Sequence, residues 1–191
     1  QITHYVGIIS DLSQRKEAEE KLRYLANYDR LTGLANRNLF RDRLHAAVLR
    51  AREQDRPLAL LYIDLDRFRT INDSLGHELG DELLRKVGER LSNAAIAADT
   101  LARIGSDEFT LIVDQNVTRQ GLESIGDRII ADLRRPFRIG EHELLLGVSI
   151  GVSLFPEHRR ELQILMNHAD LALQQAKRMG GNTLRFFSSD V

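Results

Sequence analysis

Asp64-Leu65-Asp66 stands directly after a run of six apolar residues, Leu58 to Ile63. Carboxylates at i and i+2 of an extended chain project to the same side. At the carboxyl end of a strand they face the crevice in which α/β sheets bind ligands. Two such groups suit a hard cation, because Mg²⁺ takes one or two carboxylates and completes its shell with water and phosphate. Taken alone, Asp-x-Asp more often marks a solvated strand end. Farther along, Gly105-Ser106-Asp107-Glu108 puts two more carboxylates at a hairpin tip, where small residues let a ligand approach backbone N–H groups. Pairing of the two strands would bring Asp107 against Asp64 and create a divalent-metal site. The same residue types also serve an ordinary Gly-Ser-Asp turn.

The elements that must position these groups follow from periodicity. The apolar run 58–63, bounded by Pro57 and Asp64, predicts a strand buried on both faces. Leu101 to Ile104 and Phe109 to Val113 predict a hairpin around Gly105-Ser106-Asp107. Leu79, Leu83, Leu84, Val87 and Leu91 recur at helical spacing and give a helix over roughly 75–94; Leu122, Ile125, Ile129, Ile130 and Leu133 give another. Phe137 to Ile139 and Leu144 to Phe155 predict a second hairpin, whose long arm carries Gly147 and Gly151 as marks of a bulge or a close backbone approach. Leu162, Leu165, Met166, Ala169 and Leu173 share one face of a last helix ended by Gly180-Gly181, and Thr183 to Phe187 forms a closing strand. A helix to about Gln54 follows the turn Asp29 to Arg37. Near the start, residues 2–9 predict a strand, and Asp11 or Ser13 caps a helix to about Asn27. Ala18, Leu22 and Leu25 lie at coiled-coil spacing on that helix. It packs either on its own domain or against a second copy. The expected fold is α/β (α+β): a central mixed, mostly antiparallel sheet flanked by helices.

Composition excludes several function classes. The chain has 191 residues, no cysteine and a formal net charge of -1, so disulfides, thiolate metal sites and cysteine nucleophiles are absent and no basic stripe for nucleic acid is present. No apolar run is long enough for a membrane span, and a cytoplasmic location is expected. His77-Glu78-Leu79-Gly80-Asp81 starts like a zinc-protease helix but has Asp81 where the second histidine belongs; His142-Glu143 fails in the same way at Leu146. There is no G-x-x-x-x-G-K-[ST] phosphate loop, and Thr110, Leu111 and Ile112 do not make an RNA-binding strand. His45, His158 and His168 are read as structural or solvent-facing.

Four ordered segments then carry a resemblance. Gly105-Ser106-Asp107-Glu108-Phe109 resembles the GGDEF signature, with Ser at its second position. Asp29-Arg30-Leu31-Thr32-Gly33-Leu34-Ala35-Asn36-Arg37 resembles the family's D-x-L-T-G-L-x-N-R. Asp64 through Asp81 resembles D-x-D-x-F-K-x-x-N-D-x-x-G-H-x-x-G-D, and Ala169-Asp170 through Lys177 and Gly180 resembles A-D-x-A-x-x-x-A-K-x-x-G. The match covers residues 28–187 and identifies a GGDEF domain of the diguanylate cyclase family. The resemblance implies a nucleotidyl-cyclase or ferredoxin-like palm. It implies that Asp64 and Asp107 hold Mg²⁺ (or Mn²⁺) with the carbonyl of Leu65, and that Asp107 and Glu108 are catalytic. It further implies that Asn72 and Asp81 read the guanine edge, that Phe68 and Arg69 lie by the triphosphate next to Gly105 and Ser106, and that Lys177 contacts a phosphate. The implied reaction joins two GTP molecules, held by two facing domains of a homodimer, into cyclic di-GMP and pyrophosphate.

The pattern also departs from the family. Ser106 brings a Cβ that strains the hairpin if its φ is positive. Arg69 replaces a lysine, and Gly181 stands where an arginine commonly reaches the terminal phosphates. The family's product-inhibition motif R-x-x-D reads Ile96-Ala97-Ala98-Asp99, so no strong product inhibition is expected through it. These departures leave room for an alternative, a degenerate domain that binds GTP without efficient turnover and regulates an attached EAL phosphodiesterase; a scaffold without nucleotide binding is a further reading. Residues 1–12 resemble the exit of a PAS sensor domain, 13–27 a helical connector, and 188–191 the start of a linker. The chain is therefore expected to be a fragment of a PAS–GGDEF–EAL protein, itself without membrane contact.

Overall fold

A computed structural model describes residues 2–95, 98–155 and 162–188, with side chains from Ile8 onward. The elements are α1 (Ile2–Asn27), α2 (Arg37–Gln54), β1 (Leu58–Leu65), α3 (Phe68–Leu75), α4 (His77–Ala94), β2 (Thr100–Arg103), β3 (Glu108–Val113), α5 (Arg119–Arg134), β4 (Phe137–Ile139), β5 (His142–Leu144), β6 (Val148–Phe155), α6 (Leu162–Arg178) and β7 (Leu184–Phe186). Five strands form one sheet in the order β2-β3-β1-β6-β7, while β4 and β5 pair separately. All pairings are antiparallel except β6 with β7.

β1 is the middle strand, and all eight of its residues are buried. Its alternation divides the core. Ala59, Leu61, Ile63 and Leu65 join the cluster under α4 and α5, whereas Leu58, Leu60 and Tyr62 join the one under α2 and α6. Asp64 continues the second parity, so the sheet sends its carboxylate to the α6 side. Two glycines set how closely the layers approach. A Cβ on Gly151 would lie 2.2 Å from the Leu173 nitrogen and 2.3 Å from the Ala169 oxygen, so α6 lies directly on β6. One on Gly147 would lie 2.8 Å from an Asp66 carboxylate oxygen. Both glycines thus mark the close approaches that their place in a strand suggested.

Two expectations are corrected, and one helix is added. Residues 2–9 are helical and continuous with the connector, with no cap at Asp11 or Ser13. Their β-branched types favour a strand only where a sheet edge takes up the backbone N–H and C=O groups; without a partner strand, a helix satisfies them internally. The long arm 144–155 is broken after Leu144, because the chain there leaves the β4–β5 ribbon to enter the main sheet, with Leu146 buried at the crossing. The helix expected from about residue 75 is preceded by a separate helix, α3, and the two meet at Gly76, whose φ of 91° suits glycine. His45 is exposed and His168 stacks on Phe187, while His158 lies outside the described residues.

Arg90 ties α4 to the end of α5 and the start of β4. Its guanidinium donates to the carbonyls of Asp132, Arg135 and Pro136 and lies 3.5 Å above the Phe137 ring. It therefore caps the C-terminus of α5, where carbonyls lack helical partners. Arg90→Ala is expected to cost about 2–3 kcal/mol of unfolding free energy, read from denaturant midpoints at unchanged slope.

Candidate active site

The site is assembled where β1 ends. Asp64 pairs in register with Glu108 on β3 and with Ser149 on β6. The β2–β3 hairpin delivers Asp107 immediately before β3, and the Asp107 carbonyl accepts the Leu65 N–H at 3.2 Å. From the last turn of α6, 113 residues away in sequence, Lys177 Nζ donates to Asp64 Oδ2 at 2.6 Å. Asp64 is only 5% exposed, and its buried Oδ1 meets no hydrogen-bond partner among the described residues. Burial, reinforced by the neighbouring Asp107 carboxylate and opposed by Lys177, pushes the Asp64 carboxyl up to about 7. Burial alone would lower Lys177, but its hydrogen bond to Asp64 and the charges of Asp64, Asp107 and Asp66 hold it above its ordinary value. A buried, unsatisfied carboxylate oxygen beside a second carboxylate is a donor set that fits a hard divalent cation. Asp64, Asp107 and the Leu65 carbonyl would hold it.

The other predicted residues arrive from α3 and α4. No side chain caps the first turn of α3, which begins three residues after Leu65; such a turn suits phosphate. Arg69 is exposed in that turn. Asn72 lies against Gly80, where a Cβ would come 1.8 Å from its Oδ1; the bare position lets the amide lie beside the turn carrying Asp81. Phe68 is 3% exposed and belongs to the core cluster under α4, so its backbone is the part open to a ligand beside this turn. An aromatic at the first turn of a helix that folds back over a sheet is drawn inward by the area it buries.

Ser106 is exposed, with its φ outside the positive region, so the substitution carries no backbone strain. Its hydroxyl donates to Asp107 Oδ1 at 3.2 Å. A Cβ on Gly105 would stand 3.0 Å from Glu108 Oε2, so the Glu108 side chain would have to give by a few tenths of an ångström. Glu108 lines a cavity of about 260 Å³ with Arg37, Arg41, Tyr62 and Asp170, on the α2–α6 side of the sheet.

Motif reading by itself passed over the groups that brace this hairpin. Asp29 pairs with Arg103 at 3.0 Å, with both side chains under 20% exposed. Arg103 Nη2 donates to the Ser106 carbonyl at 2.8 Å, and Arg37 donates to the Ile104 carbonyl. Burial would raise the Asp29 carboxyl, but hydrogen bonds from Thr32 and the Arg103 charge hold it below its ordinary value. Asn36 and Asn38 donate to the Ala26 carbonyl, joining the end of α1 to the same loop. The available signal was position: Asp29 opens one quoted motif and Arg103 stands two residues before another. Arg103→Ala is expected to cost roughly 2–4 kcal/mol, since it strands a half-buried carboxylate and frees the Ser106 carbonyl. Arg103→Lys should recover less than half of that in chemical denaturation, because an ammonium cannot reproduce the planar fork.

A family model described as "Diguanylate cyclase, GGDEF domain" matches residues 26–183. The chain belongs to the GGDEF family. The bifunctional diguanylate cyclase/cyclic di-GMP phosphodiesterase MucR of Pseudomonas aeruginosa is 38% identical over 91% of this chain and 25% of its own length. The cyclic di-GMP phosphodiesterase PdeR of Escherichia coli is 37% identical over 95% of this chain and 27% of its own. The chain thus spans about a quarter of the length of these relatives. Among solved structures, the coiled coil and GGDEF domain of DgcB from Caulobacter crescentus, in complex with c-di-GMP, superposes with a TM-score of 0.86 at 26% identity, covering 96% of this chain and 97% of that one. The uncovered 4% of 191 residues is about eight, fewer than the 26 of α1, so most of α1 has a counterpart there. This GGDEF domain therefore has the mostly antiparallel sheet and flanking helices expected of it. Among the described residues, no helix is long and apolar enough to cross a membrane.

Proposed function

We propose that this domain condenses two molecules of GTP into cyclic di-GMP with release of pyrophosphate, one nucleotide held by each of two facing copies. The observation that supports this best is the buried Asp64 carboxylate, with one oxygen unsatisfied, between Asp107 and Lys177 at the end of β1. Mg²⁺ or Mn²⁺ held there would polarise the α-phosphate and favour the attacking 3′-oxygen. Lys177 moves from Asp64 to a phosphate oxygen, as a mobile point charge can. Asn72 and Asp81 take the guanine edge, and the first turn of α3 with Arg69 takes the remaining phosphate charge. Glu108 stands one residue beyond Asp107 as the second acidic group of the hairpin. Pairing of α1 with its copy through the exposed Ile8, Ile9, Leu12 and Leu22 brings two half-sites together. The setting is cytoplasmic, with PAS and EAL domains attached in the full-length protein, and neither nucleic acid nor membrane is a partner of this segment.

The test is GTP turnover with Mg²⁺ at high protein concentration, with products separated by chromatography. Cyclic di-GMP among the products upholds the reading. A second reading is favoured by one observation: Gly181, at φ 75°, has no side chain to reach a terminal phosphate. On that reading the domain binds GTP without turnover and regulates an attached phosphodiesterase; GTP-dependent thermal stabilisation without product would select it. In either case product inhibition through Asp99 is expected to be weak, because Ile96 stands where the motif's arginine would be. Asp99→Ala should leave the response of turnover to added cyclic di-GMP unchanged.

A further inference from the structure

Asp66 lies one residue beyond β1, and the proposed nucleotide chemistry assigns it no part. Its Oδ1 accepts from the Ser149 hydroxyl at 2.7 Å, and its Oδ2 accepts the Asn182 N–H at 2.8 Å. Its own N–H donates to the Gly147 carbonyl. Ser149 is fully buried on β6, and Asn182 lies in the turn that follows α6. That turn is unusual: Gly180, Gly181 and Asn182 have φ of 107°, 75° and 51° in succession. A Cβ on Gly181 would stand 2.7 Å from Asp66 Oδ2, and one on Gly147 would stand 2.8 Å from the same oxygen. The turn is thus wrapped around this carboxylate, and the left-handed run is what lets the Asn182 N–H reach it. Lys177 sits on the last turn of the helix that feeds the turn, and Asp64 lies two residues before Asp66.

We infer that Asp66 is a positioning residue for Lys177: it staples the end of α6 to the end of β1, so that the ammonium arrives at Asp64 and at the phosphate. The inference rests on the proposed nucleotide chemistry for its substrate, and on these contacts for the staple itself. The role assigned to Asp66 is structural, each oxygen accepting one hydrogen bond, from Ser149 or from Asn182. Lys177 is the cation that the staple holds in place.

Two readouts test this. In lysine-labelled protein, the ammonium paired with Asp64 should give a slowly exchanging nitrogen-15 signal, assigned by its loss in Lys177→Ala. Asp66→Ala should abolish that signal while the remaining spectrum persists. Asp66→Asn keeps an acceptor for the Asn182 N–H and should retain it. Ser149→Ala removes one of the two contacts at little risk to the fold and should weaken it. For Mg·GTP affinity by titration calorimetry, Asp66→Ala and Lys177→Ala should each lose about tenfold or more, and the double variant should be no weaker than Lys177→Ala alone. Losses that add, or a Lys177 signal untouched in both Asp66→Ala and Ser149→Ala, overturn the inference. If the unmodified protein binds no Mg·GTP, the nucleotide reading fails, and the ammonium signal alone decides the role of Asp66.

Discussion

Asp107→Ala should reduce GTP turnover by roughly 10²–10³-fold, the scale on which removing one preorganised electrostatic group acts. The domain should stay folded. The Asp107 backbone carbonyl closes the end of β1 against the hairpin, and it survives the substitution. Its side chain accepts a hydrogen bond from Ser106. What is lost is the second carboxylate beside Asp64. The chain then offers a divalent cation one carboxylate and one backbone carbonyl, so the Mg²⁺ concentration for half-maximal turnover should rise together with the fall in rate. Removing the like charge also lets the Asp64 carboxyl drop toward its ordinary range. Turnover measured across a Mg²⁺ titration checks both effects, and unchanged turnover at all Mg²⁺ concentrations would remove Asp107 from the chemistry.

The second large effect is a pH dependence of stability whose sign is opposite to that of most carboxylates. The Asp64 carboxyl is raised in the folded domain from 3.8 to about 7, chiefly by burial. Between those values the folded protein keeps a proton that the unfolded chain has released. Without metal, Asp64 therefore adds stability that is complete below pH 3.8 and is lost as pH rises through about 7. The loss is on the order of a few kcal/mol. Asp29 works the other way: its depressed carboxyl contributes stability above the ordinary carboxylate range, and this is lost as pH falls through its folded value. A divalent cation held at Asp64, as proposed, would displace its proton. Mg²⁺ should hence raise the melting temperature by several degrees at about pH 8 and by little at about pH 5.5. Scanning calorimetry with and without Mg²⁺ at both values is the check, and Asp64→Asn should flatten both the pH and the Mg²⁺ response. Equal Mg²⁺ stabilisation at the two pH values would show that Asp64 is not the group the metal meets.

The sequence by itself determined the parts of this protein whose physics is local. Leu58 to Ile63, bounded by proline and aspartate, reads as a strand buried on both faces, because only such a strand needs apolar residues at both parities. The spacing of Leu83, Leu84, Val87 and Leu91 requires a helix with one buried face. Gly105-Ser106-Asp107 between two short apolar runs reads as a turn, and quoted motifs place Asp64, Asp107 and Lys177 in one family's site. Tertiary structure decided what depends on distant partners. Residues 2–9 have the side chains of a strand, yet a strand exists only where another edge accepts its hydrogen bonds, and among the described residues none meets them. Phe68 sits in a site motif, but the fold of α3 over the sheet turns its ring into the core. Asp64 and Asp66 look equivalent as a local pair. Ser149 and Asn182, 83 and 116 residues from Asp66, satisfy one of them, while burial leaves an oxygen of the other unpaired. Backbone sterics and side-chain alternation act over a few residues and are written in the chain order. Burial, and the partner that answers each charge, are set by which surfaces meet on folding.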